Sequence, residues 1–200
     1  MRANLVWNSR VQSFAVLAML LGSVAAPAAA QRKLETFGPA AWTINPEYRQ
    51  IQRQALDAQR KVLLSMADSM PERLYRDKAT PAQRDFAEQL AHVVGSGSFI
   101  ASFYLATDTT VRVPRPDTAA MLNTRAGMKA YINAGYDYFT GILDKATEAD
   151  RHTVVAFFDG KKYPRWQLWD ELNQHAMWTL GQTVANFRKN GMAPPPFLFF

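Results

Sequence analysis

The sequence predicts an all-α protein, a four-helix bundle that follows an N-terminal signal peptide. Three observations carry that prediction. Four amphipathic stretches recur at helical spacing between Pro46 and Pro194. Asn45-Pro46 and Thr80-Pro81 set a capping residue before a proline, as helix starts do. No pair of segments shows the alternation that a larger sheet requires, although a small hairpin around Val154–Tyr163 stays open.

The N-terminus comes first. Arg2 and Arg10 precede an apolar run from Phe14 to Ala26, and Ala28-Ala29-Ala30 ends it before Gln31. A basic start, a short apolar stretch and small terminal residues describe a secretory signal peptide over residues 1–30, cut after Ala30. The run is short and rich in alanine and glycine, so a retained anchor is the lesser alternative. With no cysteine after it, a lipoprotein anchor is excluded. The chain is therefore expected to be periplasmic or secreted, without a stable membrane span after cleavage.

Cleavage removes Arg2 and Arg10 and no acid, which lowers the formal charge from +6 to +4. The remaining cations are interleaved with acids, as in Arg73, Arg76, Asp77 and Lys78, and form no basic stripe with aromatics, so nucleic acid is not expected as a partner. The absence of cysteine removes thiolate chemistry and sulfur metal sites. Residues 31–200 suffice for one domain, burying roughly 70% of its unfolded surface.

Residues 31–44 have no sustained period and contain Gly38-Pro39; they form an extended lead-in that Phe37 and Trp42 would dock. The domain occupies 45–200. Its first helix runs to about Ser69 with Tyr48, Ile51, Ala55, Ala58, Val62 and Met66 on one face. The second is expected over 81–106, where Phe86, Leu90, Val93, Gly97, Ile100 and Tyr104 alternate in steps of four and three. Gly95 and Gly97 cost about 1 kcal/mol each inside a helix, and close approach by a backbone or a ligand would offset that. His92, Ser96, Phe99 and Phe103 form a second row that should face inward.

Thr107–Asn123, with Pro114 and Pro116, is expected to be a long connection, followed by a third helix over 124–145. Residues 146–163 are less clear: Thr147-Glu148-Ala149-Asp150 suits the cap of a short turn, Val154–Phe158 is apolar, and Asp159-Gly160 is a turn. The last helix occupies the stretch Pro164–Pro196, with its end marked by Gly191 after Arg188-Lys189 and by three prolines that forbid continuation. Trp166, Trp169, Ala176, Leu180 and Phe187 share its apolar face, and Glu171, His175, Thr179 and Gln182 line a polar one. The plain reading of that polar row is a packing helix with one satisfied histidine.

Two local patterns stand out: Phe86–Val94, an apolar helix that contains His92, and Gly160–Arg165 followed by His175, Gly181-Gln182 and Arg188–Pro195. Together they resemble the DinB-like family, four-helix proteins related to metal-dependent thiol-transferases. The resemblance covers roughly residues 45–196. In that family three histidines, one on the second helix and two on the last, hold a divalent metal. The resemblance therefore implies a zinc, nickel or iron site at His92 and His175, with bound water as a nucleophile. The third position is Thr179, whose neutral hydroxyl is a poor ligand, so the site is degraded. Glu171, Gln182 or His152 would have to complete it; otherwise His92 and His175 form a core pair without metal.

Two functions follow from different classes. One is a metal-dependent hydrolase or transferase. The other is a non-catalytic periplasmic module that binds a small molecule or a protein between helices two and four, with Gly95, Gly97, Phe99, Phe103, Trp178 and Thr179 as candidate lining. For Phe99 and Trp178 ordinary core packing is the favoured reading. No serine or cysteine is spaced beside His175, so a nucleophilic triad has no support. The tail Phe197-Leu198-Phe199-Phe200 would fold back, touch a bilayer or bury in a homodimer.

Overall fold

The computed structural model describes residues 47–107, 113 and 115–196, all within the compact unit Ala41–Phe200. The signal-peptide, lead-in and C-terminal-tail expectations (1–30, 31–44 and 197–200), with the Asn45-Pro46 cap, lie outside the described residues. The described chain is mostly helical. Its elements are α1 (Glu47–Ser69), α2 (Phe86–Ile100), α3 (Thr118–Asn123), α4 (Arg125–Lys145), α5 (Glu148–His152), β1 (Val154–Ala156), β2 (Lys162–Pro164) and α6 (Arg165–Lys189). Among the described residues no helix is long and apolar enough to cross a membrane.

Helix α1 ends at Ser69, as its pattern predicts, but one residue on the expected face is misplaced. Ile51 is exposed, whereas Gln52 and Gln59 are buried. The second helix begins at Phe86 rather than Pro81, because Asp85 caps it. The Asp85 carboxylate accepts from the Glu88 N–H at 2.8 Å, and the Glu88 carboxylate accepts from the Asp85 N–H at 3.1 Å. That reciprocal pair satisfies two end groups of the helix, whereas Thr80-Pro81 opens only a turn, closed by the Gln83 N–H on the Thr80 carbonyl at 3.1 Å. The long connection before α4 contains a helical turn of its own, α3, capped by Asp117. Thr124 then caps α4 by accepting from the Gly127 N–H at 3.0 Å, where the sequence places that start.

α2 packs on both α4 and α6, and α1 also packs on both. One continuous core joins them, with Leu56, Leu63, Phe86, Phe139, Trp169 and Phe187 buried. Each contributes about 1.5–3 kcal/mol through removal from water. The α2–α4 crossing is close because two glycines oppose larger side chains. A Cβ on Gly97 would lie 2.8 Å from Phe139 Cζ, and one on Gly135 would lie 2.3 Å from Val94 Cγ1. The close approach expected at Gly97 is therefore to α4, with a ring filling the space.

The open question around Val154–Tyr163 resolves as an antiparallel hairpin, with Val155 opposite Tyr163. Gly160 takes a φ of 82° at its tip, a left-handed turn position. Tyr163 donates its hydroxyl to Asp159 at 2.7 Å, tying the tip to the second strand. α5 buries Arg151, whose guanidinium sits 4.9 Å from the centre of the Tyr48 ring.

Candidate functional site: an imidazole pair beneath an aromatic hairpin

The site is built where α2 and α6 run alongside one another. Their contact is anchored at one end by Phe86 against Phe187, edge to face at 5.7 Å. Next along it, the Gln89 carboxamide donates to Gln182 at 2.8 Å. One helical turn further along α2 comes His92, and on α6 it meets His175. The ring centroids are 5.2 Å apart at 67°. The two histidines singled out in the sequence are thus brought together from separate helices.

Both rings open onto a cavity of 370 Å³. Gly95, Ser96 and Phe99 from α2, Glu171 from α6, and Phe157 and Phe158 from the hairpin complete most of its wall. Phe158 is 71% exposed and Phe99 42%, large apolar side chains left facing water at the cavity. Phe99 stacks near Phe158 at 6.2 Å and near Phe103 at 5.0 Å, so the apolar rim is continuous. Two features hold the rim in place. After Ile100 the chain makes a π-helical turn over Ala101–Leu105, a distortion that helices often carry near functional sites. Arg165, at the start of α6, donates to the Tyr104 carbonyl at 2.9 Å, fastening that turn to the hairpin's exit.

Burial pushes the His92 imidazole below its ordinary value, and the positive Arg84 and the neighbouring His175 push the same way. His175 is also lowered, chiefly by burial, with Glu171 opposing and Arg84 adding to the fall. Both rings are therefore neutral at neutral pH, each with one N–H donor and one acceptor nitrogen. The Ser96 hydroxyl lies 3.2 Å from His92 Nδ1 and 3.3 Å from Nε2. The two share a helical row in the sequence, and their spacing of four brings the hydroxyl to the ring. Both sit inside α2, where backbone N–H groups are spent on the helix, so the pair has no oxyanion donors from its own strand of chain.

The remaining candidates fall elsewhere. Thr179 is only 2% exposed, and its carbonyl accepts from Gln89 at 3.4 Å; it is not part of the cavity wall. The Gln182 oxygen is occupied by Gln89. His152 is exposed on α5. Gly97 faces Phe139, Phe103 is exposed rather than turned inward and lies outside the cavity wall, and Trp178 stands 76% exposed outside it too, so neither Trp178 nor Phe99 is the core residue favoured from the sequence. Glu171 does line the cavity. Even so, among the described residues no group of three His, Cys, Asp or Glu side chains is positioned to hold a metal ion. The donor set present, two imidazoles with a buried threonine at the third position, does not fit a three-ligand centre.

No protein-family model matches the chain, and no curated protein matches it.

Proposed function

We propose that this chain is an exported, DinB-like four-helix domain whose cleft binds a small organic molecule without a metal. The meeting of His92 and His175 at the wall of an aromatic-rimmed cavity carries the reading. A cavity of 370 Å³ whose wall combines Phe99, Ile100, Phe157 and Phe158 with the convergent polar groups of His92, Ser96, Glu171 and His175 has the character of a ligand site. Neutral imidazoles suit it because they give hydrogen bonds without the desolvation cost of a charge. The four long helices α1, α2, α4 and α6 support the bundle assignment, and the order His92 then His175 supports the DinB-like one. Arg2, Arg10 and the apolar run to Ala26 support export; secreted protein beginning at Gln31 by mass spectrometry tests it.

The second reading is a divalent ion held by the two imidazoles, and the same ring contact favours it. A metal-dependent hydrolase or transferase would need a further donor, so the metal-free reading stands first. A fragment screen by thermal shift in EDTA separates them. Stabilisation by a small aromatic compound in EDTA supports the first; a response only after zinc or nickel is added supports the second.

A further inference from the structure

The hairpin tip divides the cleft. Phe157, Phe158 and Glu171 line the histidine cavity on one side and a second cavity of 260 Å³ on the other. Asp159, Tyr163 and Gln167 add polar wall to the second one. The two spaces share their partition, so a single elongated molecule can lie across it. From this, and resting on the small-molecule reading above, we propose that the second cavity is a subsite for a cationic amine. The cleft's ligand is then an arylalkylamine, with its aromatic part beside the histidines and its ammonium group between Asp159 and Glu171.

Three observations converge on that chemistry. The first is unbalanced charge. Several carboxylates elsewhere meet cations, among them Asp77 with Lys189 at 2.7 Å, Asp68 with Lys129 at 2.8 Å and Asp144 with Arg53. Among the described residues, neither Asp159 nor Glu171 belongs to an ion pair. Asp159 is nevertheless held ready. Its oxygens accept from the Tyr163 hydroxyl at 2.7 Å and from the Lys161 N–H at 2.9 Å, fixing the carboxylate against the tip.

The second is the arrangement of rings. Phe157 lies near-perpendicular to Tyr163, at 84° and 5.8 Å, and 4.4 Å from Phe158. Rings set at angles around one space offer their negative faces to a cation, as ammonium-binding cages do. The third is what the histidines lack. Both are neutral, so they add no positive charge to offset the two carboxylates. Lys161 and Lys162 flank the turn but line neither cavity. Arg84 acts on the histidines and Lys161 on Asp159 from outside the walls, so the two carboxylates are the charged groups that line the second cavity itself.

The test compares phenethylamine, phenethyl alcohol and 3-phenylpropionate, which share a ring and a similar length but differ in charge. NMR titration of ¹⁵N-labelled protein in EDTA at neutral pH reads their affinities. The amine should bind about tenfold more tightly than the alcohol, and the carboxylate most weakly. Asp159→Asn, at an exposed position outside the histidine cavity, should reduce amine affinity several-fold and leave that of the alcohol unchanged; Glu171→Gln, in the wall of both cavities, should weaken the amine several-fold more than the alcohol. Equal affinities for amine and alcohol, or loss of both in the variants, overturns the amine subsite while the cleft reading survives. Absence of binding by all three overturns both.

Discussion

Helix α6 carries two polar rows, and the contrast between them separates architecture from function. Toward α1 the row is closed. Gln52 donates to Asp170 at 2.7 Å, Gln59 donates to Asn173 at 2.8 Å, Asn173 in turn donates to the Gln52 oxygen, and the buried Tyr136 hydroxyl donates to Gln59 at 3.1 Å. Tyr48 adds a bond to the Trp166 carbonyl at 2.7 Å. Toward α2 and the hairpin the row is open: His175 meets the His92 ring and, with Glu171, faces a cavity rather than a hydrogen-bonding side chain. Polar groups between packed helices must find partners or lose about 1–3 kcal/mol each. The first row finds them inside the molecule. The second is arranged to find them in something that enters.

The largest effect should come from breaking the closed row. Gln59→Leu leaves both Asn173 and the Tyr136 hydroxyl short of a partner, and should cost about 3 kcal/mol in urea unfolding. Binding in the cleft should be unchanged, which would confirm that the row is structural.

Thr179→His sharpens the contrast from the other side. The larger ring enters a buried position and should cost about 1–3 kcal/mol of stability. It also adds an imidazole four residues after His175. Zinc or nickel binding by calorimetry should then exceed that of the unaltered protein, because two donors become three.

In the open row the order of effects reverses. His175→Ala should reduce stability by about 1 kcal/mol or less, since no described side chain depends on it for a hydrogen bond. Ligand affinity should fall about tenfold or more, equivalent to about 1.4 kcal/mol. Denaturation and NMR titration on the same sample measure both.

The smallest effect is on pH dependence, and the two rows should differ in sign. Burial lowers both histidines, so below about pH 6.5 the unfolded chain binds more protons than the folded one. Stability therefore falls as pH drops through that window and is level above it. Asp170 is raised, chiefly by burial, so the folded chain holds its proton longer. That contribution weakens as pH rises from about 3.9 through the raised value. Replacing both histidines with glutamine should remove the first slope and leave the second.

The helical class and most helix ends were legible because they depend on local chemistry. Ser69, Thr124 and Asn190 mark ends that short-range capping and periodicity specify. The start of α2 was legible too, in Asp85 and Glu88 three residues apart, but the Thr80-Pro81 signal was read in its place. The meeting of His92 with His175 followed from helix spacing and the DinB-like resemblance together. The cavity's aromatic side did not, because it depends on a hairpin only three residues per strand, too brief for alternation to register. Phe157 and Phe158 read as ordinary apolar residues in an ambiguous connector. Periodicity misjudged Phe99 and Trp178 for the opposite reason: a helix face predicts burial only where another element covers it. Gln52 and Gln59 were missed because polar residues reach a helix interface by partners that sequence spacing does not display.

The account turns on whether the space beside the two imidazoles takes a small molecule with no metal present. Histidine-ring NMR of protein held in EDTA, titrated with phenethyl alcohol, addresses that directly. The cleft reading predicts saturable shifts at both His92 and His175 and none at exposed His152. Shifts that require added zinc, or that leave the pair unmoved at every concentration, would contradict it.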